Sequence, residues 1–448
     1  MRQQLTMGRV LRFYIPLAAN AVLIMVETPV VIAGVSRLPD AEVQLAAYGL
    51  LVALSSALIN LAAPLIHTGN ALGRTRRAFR LLRRFSLASC LAVTVLSGLV
   101  YLTPAYSVVV EGLLGASPTV SAAALPGTQL MLLSSFSIGY RRFYQGVLIR
   151  HGLTSVIGWC TIVRAVVVVA VVWLGVSLAS WSGATLAGAA LAANAAVECA
   201  LVTGIAEVML RRRRGGRWEP GPSLRLTYAA VLRFYLPLAL MMFLIGLTRP
   251  IITAAITRMP EPVLALAAFT VAYGLFNLVY SPLYPLVQII IALVRDAESY
   301  RVVMRFTRLA CFAGWLALAG GALSPIADLY LSVVLSVPAH VRAAAMPATV
   351  ALSLYLLVQG FHNEYQGLLV AARRTLTTQL AAMANLAILA LVLLAGVGLG
   401  QVSGSVVGSL AYVAGYATEA LVLRWGSRDL RLGLVRPAQA VVVGPPVG

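Results

Sequence analysis

The sequence predicts an all-α integral membrane protein with twelve transmembrane helices, built as two parallel six-helix repeats with both termini in the cytoplasm. Three observations support this fold class. Of the 448 residues, 60% are hydrophobic and only 11% are charged, and the mean hydropathy is +0.90, values typical of a bilayer protein. Apolar runs long enough to cross a bilayer recur along the chain. The second half of the sequence also repeats the first.

Each predicted span is a run of about twenty mainly apolar residues, the length that crosses a bilayer as a helix. The first run is too long for the apolar core of a signal peptide, and no cleavage site follows it, so we expect it to remain as the first helix. The predicted spans lie near residues 13–36, 43–70, 86–109, 125–149, 154–178, 183–209, 234–257, 263–291, 307–333, 346–370, 375–398 and 403–423.

The internal repeat can be read directly, because one offset of 221 residues serves throughout. Residues 10–17 read VLRFYIPL, and residues 231–238 read VLRFYLPL. The same offset aligns Pro29 with Pro250 and continues for about two hundred residues. The predicted division is an N-terminal six-helix lobe at 1–210, an Arg-rich cytoplasmic linker at 211–230, a C-terminal six-helix lobe at 231–430 and a flexible tail at 431–448. Parallel repeats of this kind are one architecture of secondary transporters, with the substrate path between the halves.

The basic residues predict the orientation of the chain in the membrane. All 34 are Arg, against 14 acidic residues, which gives a formal net charge of +20. Of these, 27 lie in alternate segments between or outside the predicted spans, where they favour the cytoplasmic side. We therefore expect an integral protein of the cell membrane with cytoplasmic termini. The net charge reflects topology, so no nucleic-acid partner is expected.

A polar, proline-broken stripe occurs at the same place in both halves. Asn60, Pro64 and His67 share one face of the second predicted helix. In the eighth, the stripe comprises Asn277, Pro285 and Gln288. These groups need partners in hydrocarbon, so they either line a water-filled cleft between the halves or hold helices together. We expect Pro64 and Pro285 to kink the helices that gate this cleft.

Two further charges lie beside matched prolines. Glu27 precedes Pro29 in the first helix, and Arg249 directly precedes Pro250 in the seventh. Each proline removes a helical hydrogen bond and kinks the helix next to its charge. Glu27 and Arg249 are therefore candidates for binding a substrate or coupling ion at a gating kink. The alternative is a structural salt bridge between them.

The other ionisable residues within spans are mostly arginines. Arg141 and Arg142 lie in the fourth helix, and at most one of them can point straight into a cleft, because successive residues diverge by about 100°. Arg164 lies near the middle of the fifth helix, matched by Asn385. It is the best single candidate for contacting an anion, and the alternative is a structural pair with Glu198 or Glu364. Arg141, Arg142, Arg164, Glu364 and Asn385 complete the predicted cavity.

Several functional classes find no support. Without Lys there is neither a P-loop lysine for ATP nor a Schiff-base lysine. No metalloprotease or serine-hydrolase motif appears, which leaves an intramembrane enzyme as the competing class. The four Cys lie inside apolar runs without metal-ligand spacing. We expect no metal and no cofactor, and a coupling ion, if one is used, would be H⁺ or Na⁺.

The paired F-Y-[IL]-P-L elements and the two six-helix halves resemble the MATE-like superfamily of multidrug, oligosaccharidyl-lipid and polysaccharide exporters. Within it, the chain is most similar to the progressive ankylosis protein family. That similarity rests on Glu27 and on five short stretches: residues 16–17 (PL), 47–50 (AYGL), 146–152 (GVLIRHG), 237–240 (PLAL) and 249–252 (RPII). The resemblance covers essentially the whole chain, although no single motif is diagnostic.

This resemblance implies a rocker-switch exporter with a central cavity between the lobes. For the ankylosis branch it implies export of small organic or phosphate-bearing anions. The excess of positively charged Arg over Glu inside the spans also favours a negatively charged substrate. A monomer with a small-molecule substrate is expected. Two alternatives stay open: a proton- or sodium-coupled multidrug cation antiporter using Glu27 or Glu364, and a flippase for a lipid-linked anion.

Overall fold

The computed structural model describes residues 5–73, 75–178, 181–212, 226–294, 296–372 and 374–435. Within them the chain forms twelve long helices and a short thirteenth. These are α1 Met7–Ser36, α2 Ala41–Leu72, α3 Arg76–Tyr101, α4 Pro118–Arg150, α5 Thr154–Leu178, α6 Gly183–Arg212, α7 Tyr228–Ile256, α8 Pro262–Leu293, α9 Ala297–Leu323, α10 Ala339–Ala371, α11 Thr375–Leu399, α12 Gly404–Gly426 and α13 Arg428–Val435. Eleven are long and apolar enough to cross a membrane, and α4 is the long helix outside that set.

Part of the predicted domain division cannot be placed. Most of the predicted linker at 211–230 and of the predicted tail at 431–448 lies outside the described residues. The lobe boundaries therefore stay a prediction.

Two predicted spans were misplaced by about ten residues. The predictions 86–109 and 307–333 correspond to α3 and α9, which begin at Arg76 and Ala297. Arginine is a good helix former, so both helices start within their basic segments, before the apolar run. They end earlier than predicted, and short helical segments follow them at Ala105–Ser107, Val108–Leu113, Pro325–Leu329 and Tyr330–Val334.

The helix boundaries repeat with the sequence offset of 221. α4 and α10 are each 33 residues long and begin at Pro118 and Ala339. Left-handed backbone occurs at Asp40 and again at Glu261, just before α2 and α8. The two halves therefore adopt the same series of helices and turns, although their sequences have diverged.

The four predicted proline kinks coincide with breaks in the helices. α1 is interrupted at Val26 and α7 at Leu247, each three residues before its proline. In α2 a turn ending at Pro64 separates Ala41–Asn60 from Leu65–Leu72. In α8 the segment Leu286–Leu293 likewise begins directly after a proline, Pro285. The missing proline N–H and its ring account for all four breaks.

The two halves meet at one end and separate toward the other. The first parts of α2 and α8, Ala41–Asn60 and Pro262–Tyr280, pack against each other. Their last parts, Leu65–Leu72 and Leu286–Leu293, pack on α4 and α10 of their own halves. The last parts of α2 and α8 therefore pack separately, and they border a cleft between the halves.

The first parts of α1 and α7 cross between the halves. The Tyr14 hydroxyl donates a hydrogen bond of 2.8 Å to the carbonyl of Pro282 in the break of α8. At the equivalent place, the Tyr235 hydroxyl donates one of 2.7 Å to the carbonyl of Leu61 in the break of α2. Each tyrosine ring also contacts a phenylalanine of the opposite half. The matched F-Y-[IL]-P-L elements thus supply two symmetric contacts between the halves.

Glycine permits a close crossing of α4 and α6. A methyl group on Gly188 would collide with the backbone of Gly127, whereas one on Gly204, in the same helix, would meet nothing within 4 Å.

We expect Gly188→Ala to lower stability by about 1–3 kcal/mol through overpacking. Gly204→Ala should leave it unchanged or raise it by up to about 1 kcal/mol through helix propensity. Thermal unfolding in detergent checks both, and equal melting temperatures would contradict the close crossing.

Candidate functional site

A buried charge network joins four helices of the first half. The Glu198 carboxylate of α6 is 2% exposed and pairs with Arg141 of α4. Arg164 of α5 approaches the same carboxylate at 3.4 Å and pairs with Glu27 of α1 at 2.9 Å. It also donates a hydrogen bond of 3.0 Å to the carbonyl of Ile24, next to the break in α1. Two guanidinium groups and two carboxylates therefore cancel in charge.

Two amides complete this network. Asn194 donates to Glu27 at 2.8 Å, and Gln145 donates to Glu198 at 3.3 Å. Arg164, the predicted anion contact, is thus engaged by carboxylates, and so is Arg141. Glu27 pairs with Arg164, so the predicted alternative of a Glu27–Arg249 bridge is wrong.

The equivalent carboxylate of the second half, Glu419 of α12, has different partners. Asn385 of α11 donates a hydrogen bond of 2.7 Å to Glu419 Oε2. His362 Nε2 of α10 lies 3.1 Å from Glu419 Oε1. By the offset of 221, His362 stands where the first half has Arg141, and Asn385 stands where it has Arg164. Among the described residues of the second half, Glu419 therefore has no permanent cation beside it.

This cluster faces a cavity of about 330 Å³ in the second half. The cavity is lined by tyrosines, by uncharged amides and by aliphatic side chains, with Glu419 as its carboxylate. The lining residues are Ile245, Thr248, Tyr280, Tyr284, Val287, Gln288, Ile291, Tyr355, Gln359, His362, Asn363, Gln366, Val370, Ala382, Asn385, Leu386, Tyr416 and Glu419.

Of the predicted cavity residues, Gln288 and Asn385 line this cavity. The structure places Glu364 elsewhere, because its carboxylate is buried against Arg308 at 2.8 Å and the Tyr300 hydroxyl at 2.6 Å, both on α9. A buried carboxylate is costly unless a cation pairs with it. The spacing in the sequence did not reveal that Arg308 reaches the Glu364 carboxylate. The prediction of Glu364 in the cavity is therefore wrong.

Arg142 and Arg249 lie where the halves face each other. Arg142 is in electrostatic range of Tyr284, a cavity residue of the other half, and of His67. The Arg249 guanidinium lies 4.1 Å from the ring centre of Tyr273, and its neighbour Thr248 lines the cavity. Among the described residues, no carboxylate lies within ion-pair distance of either arginine.

The polar stripe lies on the helices that border the cleft. Asn60 is half-buried, with its amide against Gly246 of α7, and Asn277 is half-buried on α8. His67 and Gln288 are exposed on the last parts of α2 and α8. Sequence reasoning missed the tyrosines of the cavity, Tyr280, Tyr284, Tyr355 and Tyr416. Their clustering in the second half was the available signal, but aromatic residues in spans more often indicate packing.

The comparisons with known proteins give the fold. No family of known sequences matches the chain, and no curated protein matches it. Solved structures do match. A multidrug resistance MATE family transporter of the MOP superfamily, in its inward-facing conformation, is similar with a TM-score of 0.70 at 15% identity, over 94% of this chain and 96% of that chain.

The outward-facing conformation of a MATE family transporter matches with a TM-score of 0.59 at 16% identity, over 95% of this chain and 96% of that chain. The lipid II flippase MurJ, in an inward closed conformation, matches with a TM-score of 0.71 at 12% identity, over 94% of this chain and 87% of that chain. The chain therefore has an all-helical, MATE-like membrane fold, similar to that of these solved transporters.

Removing the carboxylate from each half should affect stability unequally. Glu198→Gln leaves Arg141 and Arg164 without their shared counter-charge, and we expect a loss of about 3–5 kcal/mol, as for other broken buried pairs. Glu419→Gln leaves only a histidine, which can become neutral, so the loss should be smaller. Melting temperature and yield of folded protein in detergent measure both. An equal loss in the two variants would contradict the network.

Proposed function

We propose that the protein is a secondary transporter that works by alternating access and carries small organic or phosphate-bearing anions. The fold supports transport, and the cleft between the halves supports alternating access, because α2 and α8 pack against each other at one end and pack separately at the other. The anionic class of the substrate rests on Arg142 and Arg249.

These two arginines are the observation that carries the proposal. Each of the four carboxylates Glu27, Glu198, Glu364 and Glu419 already has a hydrogen-bonding partner. Arg142 and Arg249 have no carboxylate partner among the described residues, and a charge inside a membrane bundle is costly unless it is paired or hydrated. An anion in the cleft would supply the missing counter-charge, and guanidinium forks suit carboxylates and phosphates.

The closed end of the cleft supports a rocking motion between the halves. Arg37 donates to the carbonyl of Val334 at 2.8 Å, and Arg258 donates to the carbonyl of Leu113 at 2.8 Å, so each half is tied to the other. Under the proposed topology, with both termini in the cytoplasm, this end faces outward and the open end faces inward. The higher TM-score against the inward-facing MATE transporter agrees with that assignment. Export would begin from this state.

A cation antiporter is the second candidate, and Glu419 is the observation that favours it. Its carboxylate faces a cavity walled by four tyrosines, and a carboxylate with aromatic faces suits an organic cation. We rank this candidate second because Asn385 and His362 already engage the carboxylate. We also propose that the chain is related to the progressive ankylosis family. A flippase for a lipid-linked anion is the remaining alternative.

We expect Arg142→Gln and Arg249→Gln to weaken anion binding by about 10- to 100-fold each, the effect of losing one charge-assisted contact. Folding should be largely unaffected because no carboxylate loses its partner. Uptake of radiolabelled citrate and phosphate into proteoliposomes measures the effect, with a lipophilic cation assayed in parallel.

Arg342→Gln is the matched control, because Arg342 lies outside the cleft and pairs with the exposed Asp328. It should transport as the unchanged protein does. Cation transport that survives both cleft variants and is lost in Glu419→Gln would replace the anion proposal with the cation antiporter. Movement of a lipid-linked pyrophosphate without transport of free anions would identify the flippase.

The proposed topology is tested by cysteine labelling, for which the four native cysteines give little background because all are buried. Arg77→Cys and Glu111→Cys place thiols at exposed positions near opposite ends of α3. In intact cells a membrane-impermeant maleimide should label position 111 and not position 77. The opposite pattern would reverse the orientation and make the cleft outward-facing.

A further inference from the structure

The second half carries a histidine and an asparagine where the first half has the two arginines of its charge network. In the first half, Glu198 is held between Arg141 and Arg164, both of which keep their charge at any physiological pH. In the second half, the matched carboxylate Glu419 is held by His362 and Asn385. Histidine is the side chain that ordinarily changes charge between about pH 5 and 8.

The geometry of the cluster formed by His362, Asn385 and Glu419 allows an imidazolium and a carboxylate to pair. His362 Nε2 lies 3.1 Å from Glu419 Oε1, while Asn385 holds the other carboxylate oxygen at 2.7 Å. The three residues are 5%, 8% and 6% exposed, respectively. At this burial a lone carboxylate is costly, and a proton on His362 would reduce the net charge of the cluster from −1 to zero.

Unpartnered polar atoms at the cavity indicate that something else binds there. In the described structure His362 Nδ1 has no hydrogen-bond partner, and His362 Nε2 lies within ion-pair distance of Glu419 without forming an aligned hydrogen bond. Asn385 Oδ1, Gln359 Oε1 and Asn363 Nδ2 also lack a hydrogen bond there. All four residues line the cavity, whose volume is sufficient for several waters. The cavity extends to Gln288 and Ile291 near the open end of the cleft. Water in it would give protons a path to the cluster.

Among the described lining residues, no other cation faces this cluster. The remaining titratable groups that line the cavity are Tyr280 and Tyr284 of α8, Tyr355 of α10 and Tyr416 of α12. The α7 and α11 residues that line it are uncharged. On α10, the neighbouring Glu364 is directed to Arg308 of α9 and does not line the cavity.

We infer that His362 and Glu419 form a proton-binding site, which couples transport to a proton gradient. Water in the cavity delivers a proton to the His362 imidazole, and Glu419 becomes the counterion. The neutral pair can be enclosed when the cleft closes, whereas the unprotonated cluster, with its net charge, resists dehydration. The coupling rests on the proposed transport function, while proton binding at this pair does not.

Proton binding is tested on the whole protein in lipid nanodiscs with isotope-labelled histidine. The histidine NMR signals that vanish in His362→Gln belong to His362. These signals should shift reversibly between about pH 5 and 8, and the midpoint should change in Glu419→Gln. A His362 signal that stays constant over this range, or a midpoint unaffected by Glu419→Gln, would overturn the site.

Coupling is tested with His362→Arg, which restores the residue of the first half. In proteoliposomes, citrate uptake by the unchanged protein should vary at least about threefold with an imposed pH gradient, while a pH-sensitive dye reports the accompanying proton flux. The fixed charge of His362→Arg should remove both responses. His340→Gln, at an exposed histidine that pairs with Glu42 and does not line the cavity, is the matched control and should keep them.

The two proposals fail in different ways. Citrate uptake that does not change with the imposed pH gradient, and that is accompanied by no proton flux, would overturn the coupling. The proposal of anion transport would be unaffected. A pH-dependent His362 signal in a protein that transports no anion would support the site and overturn the anion proposal. Equal gradient responses in His362→Arg and in the unchanged protein would also overturn the coupling.

Discussion

The structure depends on one constraint: a charge inside a bundle of membrane helices must have a partner. Glu198 meets this requirement by drawing Arg141 and Arg164 together, and Arg164 extends the pairing to Glu27. Helices α1, α4, α5 and α6 are therefore held at fixed positions by charge as well as by packing. The pairing also restricts function, because arginines used in this way are no longer free to bind a substrate.

The duplication shows which parts of the design are constrained. The breaks at the prolines, the left-handed residues before α2 and α8, and the exchanged tyrosine contacts all occur twice. The charge network does not, because the second half has His362 and Asn385 at the positions of Arg141 and Arg164. Backbone features were kept in both copies, while the buried polar groups diverged. The chemical difference between the halves is therefore concentrated in the side chains around Glu198 and Glu419.

Sequence predicted the helices well, because apolar runs and proline positions are local properties. It missed the starts of α3 and α9, where basic residues continue a helix beyond its apolar run. The candidate site was harder to predict. The rotation of each helix relative to its neighbours determines which carboxylate pairs with Arg164. The same rotation directs Glu364 to Arg308. A sequence places such residues at similar depths without giving their facing directions, and so the tyrosine-walled cavity was also missed.

The exchanged tyrosines have a consequence for how the chain assembles. Tyr14 contacts Pro282, a residue 268 positions later in the chain, so the first helix to be synthesised must wait for the eighth before this contact can form. Tyr235, by contrast, finds Leu61 already made. The N-terminal half would therefore leave the ribosome with the Tyr14 contact of α1 not yet formed, and complete docking of α1 would be a late event in biogenesis. Expressed as separate fragments, the two halves would each lack one of these tyrosine contacts.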